Sequence, residues 1–396
     1  MYTFTGGVPV IARQATTALA TLARGFPVVA LTGPRQSGKT TLARLAFPHL
    51  PYLSLELPQE RTRAEEDPVG FLDRFPDGAV LDEIQHCPGL FSHLQVRVDA
   101  ARRMGHYVIT GSQQFGLNER IAQSLAGRVG GITLLPLSIA ELAGADLVPG
   151  DLDELIMRGF YPAQYDRDLE PALMLANYVN TYLERDVRQV QAVRDLATFQ
   201  RFLRLCAGRT GQLLNLASLA SDTGVSPATV RGWLSILQAS NLVVLLQPHH
   251  ANLGKRLVKT PKLFFLDVGL AAHLIGIHDA GHVAAHPLRG PLFETLVVGE
   301  FLKDRLNHGL PPELTFWRDN HGHEVDLLRQ NGAQLDAIEV KSAATPSEAL
   351  TRGLRQWARH AGELAGGLYL VSGGDAEGMW SGVRLLGWRD LARIPQ

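Results

Sequence analysis

Residues 33–40 read Gly33-Pro34-Arg35-Gln36-Ser37-Gly38-Lys39-Thr40, which is the P-loop spacing G-x-x-x-x-G-K-[ST]. The pattern constrains the fold because it needs a buried strand before it and a helix after it. Both flanks comply. Phe26-Pro27-Val28-Val29-Ala30-Leu31 is a short β-rich apolar run, and Thr41-Leu42-Ala43-Arg44-Leu45-Ala46 suits the first turns of a helix. The glycines let the backbone curl so that its N–H groups face phosphates at the positive end of the helix dipole. Residues Gly33 through Thr41 are therefore expected to bind ATP, with Lys39 on the β- and γ-phosphates and the Thr40 hydroxyl on Mg²⁺.

A P-loop needs a second strand that delivers a carboxylate to the metal. Ala79-Val80-Leu81-Asp82-Glu83 supplies it, with Asp82 expected to hold Mg²⁺ and Glu83 to polarise the attacking water as general base. Tyr107-Val108-Ile109-Thr110-Gly111-Ser112-Gln113 is a further β-branched run, and Ser112 or Gln113 would stand near the γ-phosphate. After it, Ser124-Leu125-Ala126-Gly127-Arg128-Val129 leads into the apolar run 132–137. Arg128 is a candidate arginine finger, in its own subunit or in a neighbour's; the second case requires a homo-oligomer. Short strands alternating with helical segments predict an α/β domain over residues 1–150, a parallel sheet with helices on both faces.

Several further segments make the chain resemble the bacterial and archaeal AAA+-like ATPases whose P-loop domain is followed by a conserved domain called DUF4143. They include Leu81-Asp82-Glu83-Ile84-Gln85, Gly159-Phe160-Tyr161-Pro162, Tyr182-Leu183-Glu184-Arg185-Asp186-Val187, Phe265-Leu266-Asp267-Val268-Gly269-Leu270 and Glu339-Val340-Lys341. The family commonly has Gly-Gly-Tyr-Pro where this chain has Gly-Phe-Tyr-Pro. The resemblance implies an ATPase with parts related to nucleic acid.

A chain of 396 residues is too long for one ordinary core. No apolar run approaches the roughly 18 residues of a membrane span, and Arg13 and Arg24 interrupt any signal-peptide order. Cys87 and Cys206 are isolated, which points to a reducing cytoplasm. The net charge of −1 gives no general attraction for DNA, so a DNA contact must come from a local patch.

The pattern of helix formers over 151–205 suggests a helical lid behind the nucleotide. Next comes a helix-turn-helix pattern: a helix at 216–223, a turn at Gly224-Val225-Ser226, and a second helix from Pro227 to Gln238. Ser226 caps that helix, with Pro227 at its first position. Two apolar runs, 242–246 and 263–266, flank a basic link with His249, His250, Lys255, Arg256, Lys259 and Lys262. The expectation is a winged helix over 206–278. Ser226, Thr229 and Arg231 would meet a major groove and the link would meet phosphates, although winged helices also dock proteins.

Four residues stand out beyond position 280: Glu294 in a helical run, Asp326, and the strand pair Glu339 and Lys341. On a strand, Glu339 and Lys341 point to one face, and Asn331-Gly332 would turn a hairpin that brings Asp326 alongside. That order matches the PD-(D/E)xK arrangement of a restriction-endonuclease-like domain over 279–396, with Glu294 as an extra helical acid and Gln356 as a polar helical position. Glu294, Asp326 and Glu339 could hold Mg²⁺, and Lys341 could orient or help deprotonate a water. The combined expectation is a Mg²⁺-dependent ATPase acting on DNA, with possible cleavage of branched or duplex DNA. The alternative is a non-nucleolytic switch or regulator with a docked protein, an operator or a small partner protein.

Overall fold

Val28–Gly33 is buried at every position, as a strand covered on both faces must be. It forms the hub of the first unit in a computed structural model that describes residues 10–112, 123–167, 169–183, 195–249, 260–319, 321–345 and 347–394. The first unit comprises Met1–Leu137 with Ala239–Asn241 and Lys303–Pro311. Its elements in order are α1 (Ala15–Gly25), β1 (Val28–Gly33), α2 (Lys39–Ala46), β2 (Tyr52–Ser54), α3 (Pro58–Glu66), α4 (Pro68–Asp73), β3 (Ala79–Asp82), α5 (Leu90–Ala101), β4 (Tyr107–Ser112) and β5 (Val129–Thr133).

The five strands lie in the order β2-β3-β4-β1-β5 and every pair is parallel. Alternation along each strand sends side chains to two cores. Val28, Ala30, Leu81 and Ile109 face Phe71, Phe91 and Leu94 on one side. Val29, Leu31, Val80 and Val108 face Leu19 and Leu42 on the other. β5 begins three residues before the expected 132–137 and ends before Pro136, because Val129 pairs with Val28 and a proline cannot donate to the ladder.

The second unit comprises Ser138–Gln238, Leu242–Leu302 and Pro312–Gln396. Its elements are α6 (Ile139–Gly144), α7 (Leu152–Arg158), α8 (Ala163–Asp166), α9 (Pro171–Tyr178), α10 (Leu196–Ala207), β6 (Gln212–Leu213), α11 (Leu216–Thr223), α12 (Pro227–Ala239), β7 (Val243–Pro248), β8 (Lys262–Phe265), α13 (Val268–Leu274), α14 (Ala280–Ala285), α15 (Arg289–Asn307), β9 (Leu314–Arg318), β10 (Glu324–Asn331), β11 (Gln334–Lys341), α16 (Arg352–Ala361), β12 (Ala365–Ser372), β13 (Gly378–Trp380) and β14 (Val383–Gly387). One nine-stranded sheet runs through it in the order β13-β14-β12-β11-β10-β9-β7-β8-β6.

The segment expected as a nucleotide lid, 151–205, belongs to this second unit, where α7 packs on α13 and α14. There Gly159 sits against Gly269. A Cβ on Gly159 would lie 2.6 Å from the Asp267 carboxylate, and a Cβ on Gly269 would lie 2.6 Å from the Gly159 backbone. Asp267 accepts from the Phe160 N–H at 2.7 Å and caps α13 at Leu270, so the Gly-Phe-Tyr-Pro and Asp-Val-Gly motifs fasten each other. The last helix of that segment, α10, instead joins the helix-turn-helix: Phe199 and Phe202 meet the Trp233 ring of α12 edge-on, with centroids 5.2 and 5.3 Å away. β7 continues the sheet into the C-terminal hairpin by pairing parallel with β9, Gln247 opposite Thr315. The expected boundary at 278/279 is therefore not a break in the sheet.

No helix among the described residues is long and apolar enough to cross a membrane. Gln113, the Glu184-Arg185-Asp186-Val187 motif, and the link residues His250, Lys255, Arg256 and Lys259 lie outside the described residues.

Candidate functional sites

The P-loop leaves β1 at Gly33, whose φ of 142° and whose closeness to the Leu134 carbonyl (2.2 Å from a built Cβ) leave no room for a side chain. Gly38, at φ 92°, turns the chain into α2. Arg13 pins the loop by donating to the carbonyls of Ser37 at 2.6 Å and Leu135 at 2.7 Å. The Lys39 ammonium donates to the carbonyls of Gly33 and Pro34 at 3.1 and 2.7 Å. The Ser37 hydroxyl is fully buried and has no partner among the described residues, which fits a loop built to receive an acceptor-rich group. Arg35 stands 3.9 Å from Glu56, and Thr41 is exposed on the first turn of α2.

The Thr40 hydroxyl faces the Asp82 carboxylate at 3.1 and 3.2 Å, so the donor set expected for Mg²⁺ is assembled. Two residues outside the local motifs hold Asp82 in place. Tyr52 donates to Asp82 at 2.7 Å from β2, and Thr110 donates to Asp82 from β4. Burial and the Asp82 carboxylate push the Tyr52 phenol above its ordinary range. Glu83 adopts φ 56°, which swings its carboxylate toward the end of β4. There it accepts from Gln85, and from the Ser112 hydroxyl and N–H at 3.4 and 3.5 Å. Burial opposes ionisation of Glu83, but the charge of Lys39, the Gln85 bond and Arg35 outweigh it and hold the carboxyl below the usual glutamate range.

Arg128 does not join this group. Its backbone carbonyl accepts from the Val28 N–H at the start of β1, and the P-loop leaves the far end of that strand. Five strand residues separate the two ends, about 16 Å. Its guanidinium forms a fork on Asp99, at 2.5 and 2.8 Å. A finger in its own subunit is ruled out by that placement.

In the second unit, Glu294, Asp326, Glu339 and Lys341 converge. β10 and β11 form the hairpin, with Asn331 opposite Gln334 and Gly332 at φ 59° in the turn. The Val340 N–H donates to Asp326 at 2.8 Å, and Lys341 bridges Glu339 and Asp326, the latter at 3.6 Å. Burial, with the nearby Asp326 carboxylate, pushes Glu294 and Glu339 up to about 8. Glu339 Oε2 is buried and has no partner among the described residues. Gln356 accepts from Arg359 at 2.6 Å; one turn earlier, a Cβ built on Gly353 would stand 3.6 Å from Glu339 Oε2.

Two further residues enter this group. Glu324, from β10, was hidden in the sequence because it is one acid among several. Lys262 was expected as a wing charge on phosphate, but it is 3% exposed and its ammonium lies among Glu294, Glu324 and Asp326. The helix-turn-helix takes the expected form: Gly224 is left-handed at φ 81°, and Ser226 caps α12 by accepting from the Thr229 N–H at 3.1 Å. Ser226 and Arg231 are exposed, whereas Thr229 is half-buried.

Family models match three stretches of the chain: an AAA domain over residues 25–143, a domain of unknown function (DUF8612) over 149–281, and DUF4143 over 289–390. Proteins described as uncharacterized from Mycobacterium tuberculosis and Mycobacterium bovis are each 34% identical over 333 residues, covering 83% of this chain and 73% of theirs. Among solved structures, a Walker-type ATPase of Pyrococcus abyssi aligns with 67% of this chain and 96% of that one, at 15% identity and a TM-score of 0.46.

Proposed function

The chain belongs to the family of P-loop ATPases that place an AAA domain ahead of a DUF4143 domain, and from this we propose that it is a Mg²⁺-dependent ATPase acting on DNA in the cytoplasm. The observation that carries the proposal is the joint placement of Thr40, Asp82 and Glu83 around one P-loop. Thr40 and Asp82 would hold Mg²⁺, which when bound neutralises charge on the β- and γ-phosphates. Lys39, freed from the loop carbonyls, would take a phosphate oxygen. Glu83, ionised at neutral pH and held by Gln85 and Ser112, would accept the proton of the attacking water.

The DNA half of the reading rests on the helix-turn-helix. Ser226 at the cap of α12, and Arg231 and Ser235 along it, are exposed; a single cation in that row offers little base readout, and most of the charge for phosphates would come from the basic link between β7 and β8. Nucleotide state would alter how DNA is held, and Arg128 would act only on a neighbouring copy. The test is binding of duplex and four-way-junction DNA by the full chain with a slowly hydrolysed ATP analogue or with ADP. Affinity that differs between the two states and falls in Arg231→Ala supports the reading. Affinity indifferent to both sinks it. A second reading, a switch that does not cleave DNA, is favoured by the position of Lys262.

A further inference from the structure

Lys262 opens β8, and its backbone is paired on both sides, with Leu246 of β7 and Leu213 of β6. That pairing fixes where its side chain can go. The ammonium lies 2.8 Å from Glu294 Oε1, in contact with Glu324, and 3.8 Å from Asp326 Oδ1. The Phe316 ring closes another side, with its centroid 5.4 Å from Nζ. Glu294, Glu324 and Asp326 are the same three residues whose carboxylate oxygens lie within 4.8 Å of one another, close enough to chelate a metal ion.

Two features make this a seat for an ammonium as long as Lys262 is in place. The Phe316 face, which attracts an ammonium, closes the side that the carboxylates leave open. Cations also already stand against the acids: four carboxyl groups (Glu294, Glu324, Asp326, Glu339) meet Lys262, Lys341 and Arg318, the last 3.1 Å from Glu324. A metal entering here would have to expel a buried lysine and leave its charge unpaired, which is costly.

We propose that the Lys262 ammonium occupies the divalent-cation position of this carboxylate group, so that the hairpin is held by a tethered cation and takes no catalytic metal. Lys262 then joins β8 to α15 and β10, and the nuclease-like arrangement serves as a platform for the helix-turn-helix. The inference does not depend on ATP hydrolysis.

The test is a Mn²⁺ titration of the nucleotide-free full chain, with free ion counted by electron paramagnetic resonance. The wild type is expected to bind no Mn²⁺ that Asp326→Asn removes. Lys262→Met is expected to gain one equivalent, lost again when Asp326→Asn is added. Asp326-dependent Mn²⁺ binding by the wild type overturns the proposal, and so does a folded Lys262→Met chain that gains none. If Lys262→Met does not fold, the wild-type titration decides alone, because it needs no variant at position 262.

Discussion

The hydroxyl of Thr40 meets both carboxylate oxygens of Asp82, at 3.1 and 3.2 Å, although 42 residues of chain separate them. β4 lies between β1, which leads through the P-loop to Thr40, and β3, which ends at Asp82, so the meeting depends on the parallel register of three strands. Thr40→Ala and Asp82→Asn should each lower kcat/KM for ATP by about 10²–10³-fold, the usual loss for one positioned charge-stabilising group. Phosphate release at varied Mg²⁺ checks this; variants that keep the wild-type rate and Mg²⁺ requirement would place the metal elsewhere.

Glu83 is held below the ordinary glutamate range despite its burial, because Lys39, Gln85 and Arg35 favour its charge. A depressed folded value means that its stabilisation is present above the unfolded value and lost as pH falls through the folded one. The rate of hydrolysis should accordingly stay flat above about pH 6 and fall only on the acid side of the usual carboxylate range. Gln85→Ala removes one support, so the acid limb should move to higher pH. A limb that stays in place would show that Gln85 has no hold on Glu83.

Gly159→Ala should destabilise the second unit. The added methyl would meet the Asp267 carboxylate and the Gly269 backbone, at a residue with φ 71°. Strain of this kind costs about 1–3 kcal/mol, read as a lower midpoint in urea unfolding. An unchanged midpoint would mean that the Gly159–Gly269 contact carries no stability.

Asp336 accepts from Arg329 at 2.6 Å, with 1% and 3% of their side chains exposed, and also accepts from the Gly367 N–H at 2.8 Å. This pair ties β10, β11 and β12 together. Asp336→Ala leaves a buried guanidinium without its main partner and should cost about 3–5 kcal/mol, while Asp375→Ala on the exposed Arg389 pair should not move the midpoint measurably.

What the sequence revealed was geometry encoded by short spacing. The P-loop, the strand ending in Asp82-Glu83, and the Glu339-x-Lys341 pair on one strand face each follow from residues within a few positions of one another. What it concealed depends on register between distant strands. Tyr52 and Thr110 reach Asp82 because β2 and β4 flank β3, an order that no local pattern states. Lys262 looked like the end of a basic link, since its carboxylate partners come from a helix and a hairpin downstream. Arg128 could be read as a finger of its own subunit because sequence gives its strand but not which end of the sheet it occupies.

Phosphate release by the full chain and by Lys39→Ala at saturating Mg²⁺ decides whether Gly33 through Thr40 form the site of ATP hydrolysis. The wild type should turn over steadily and the variant should lose at least about 100-fold. Turnover undiminished in Lys39→Ala, with the variant shown to be folded, would contradict that assignment.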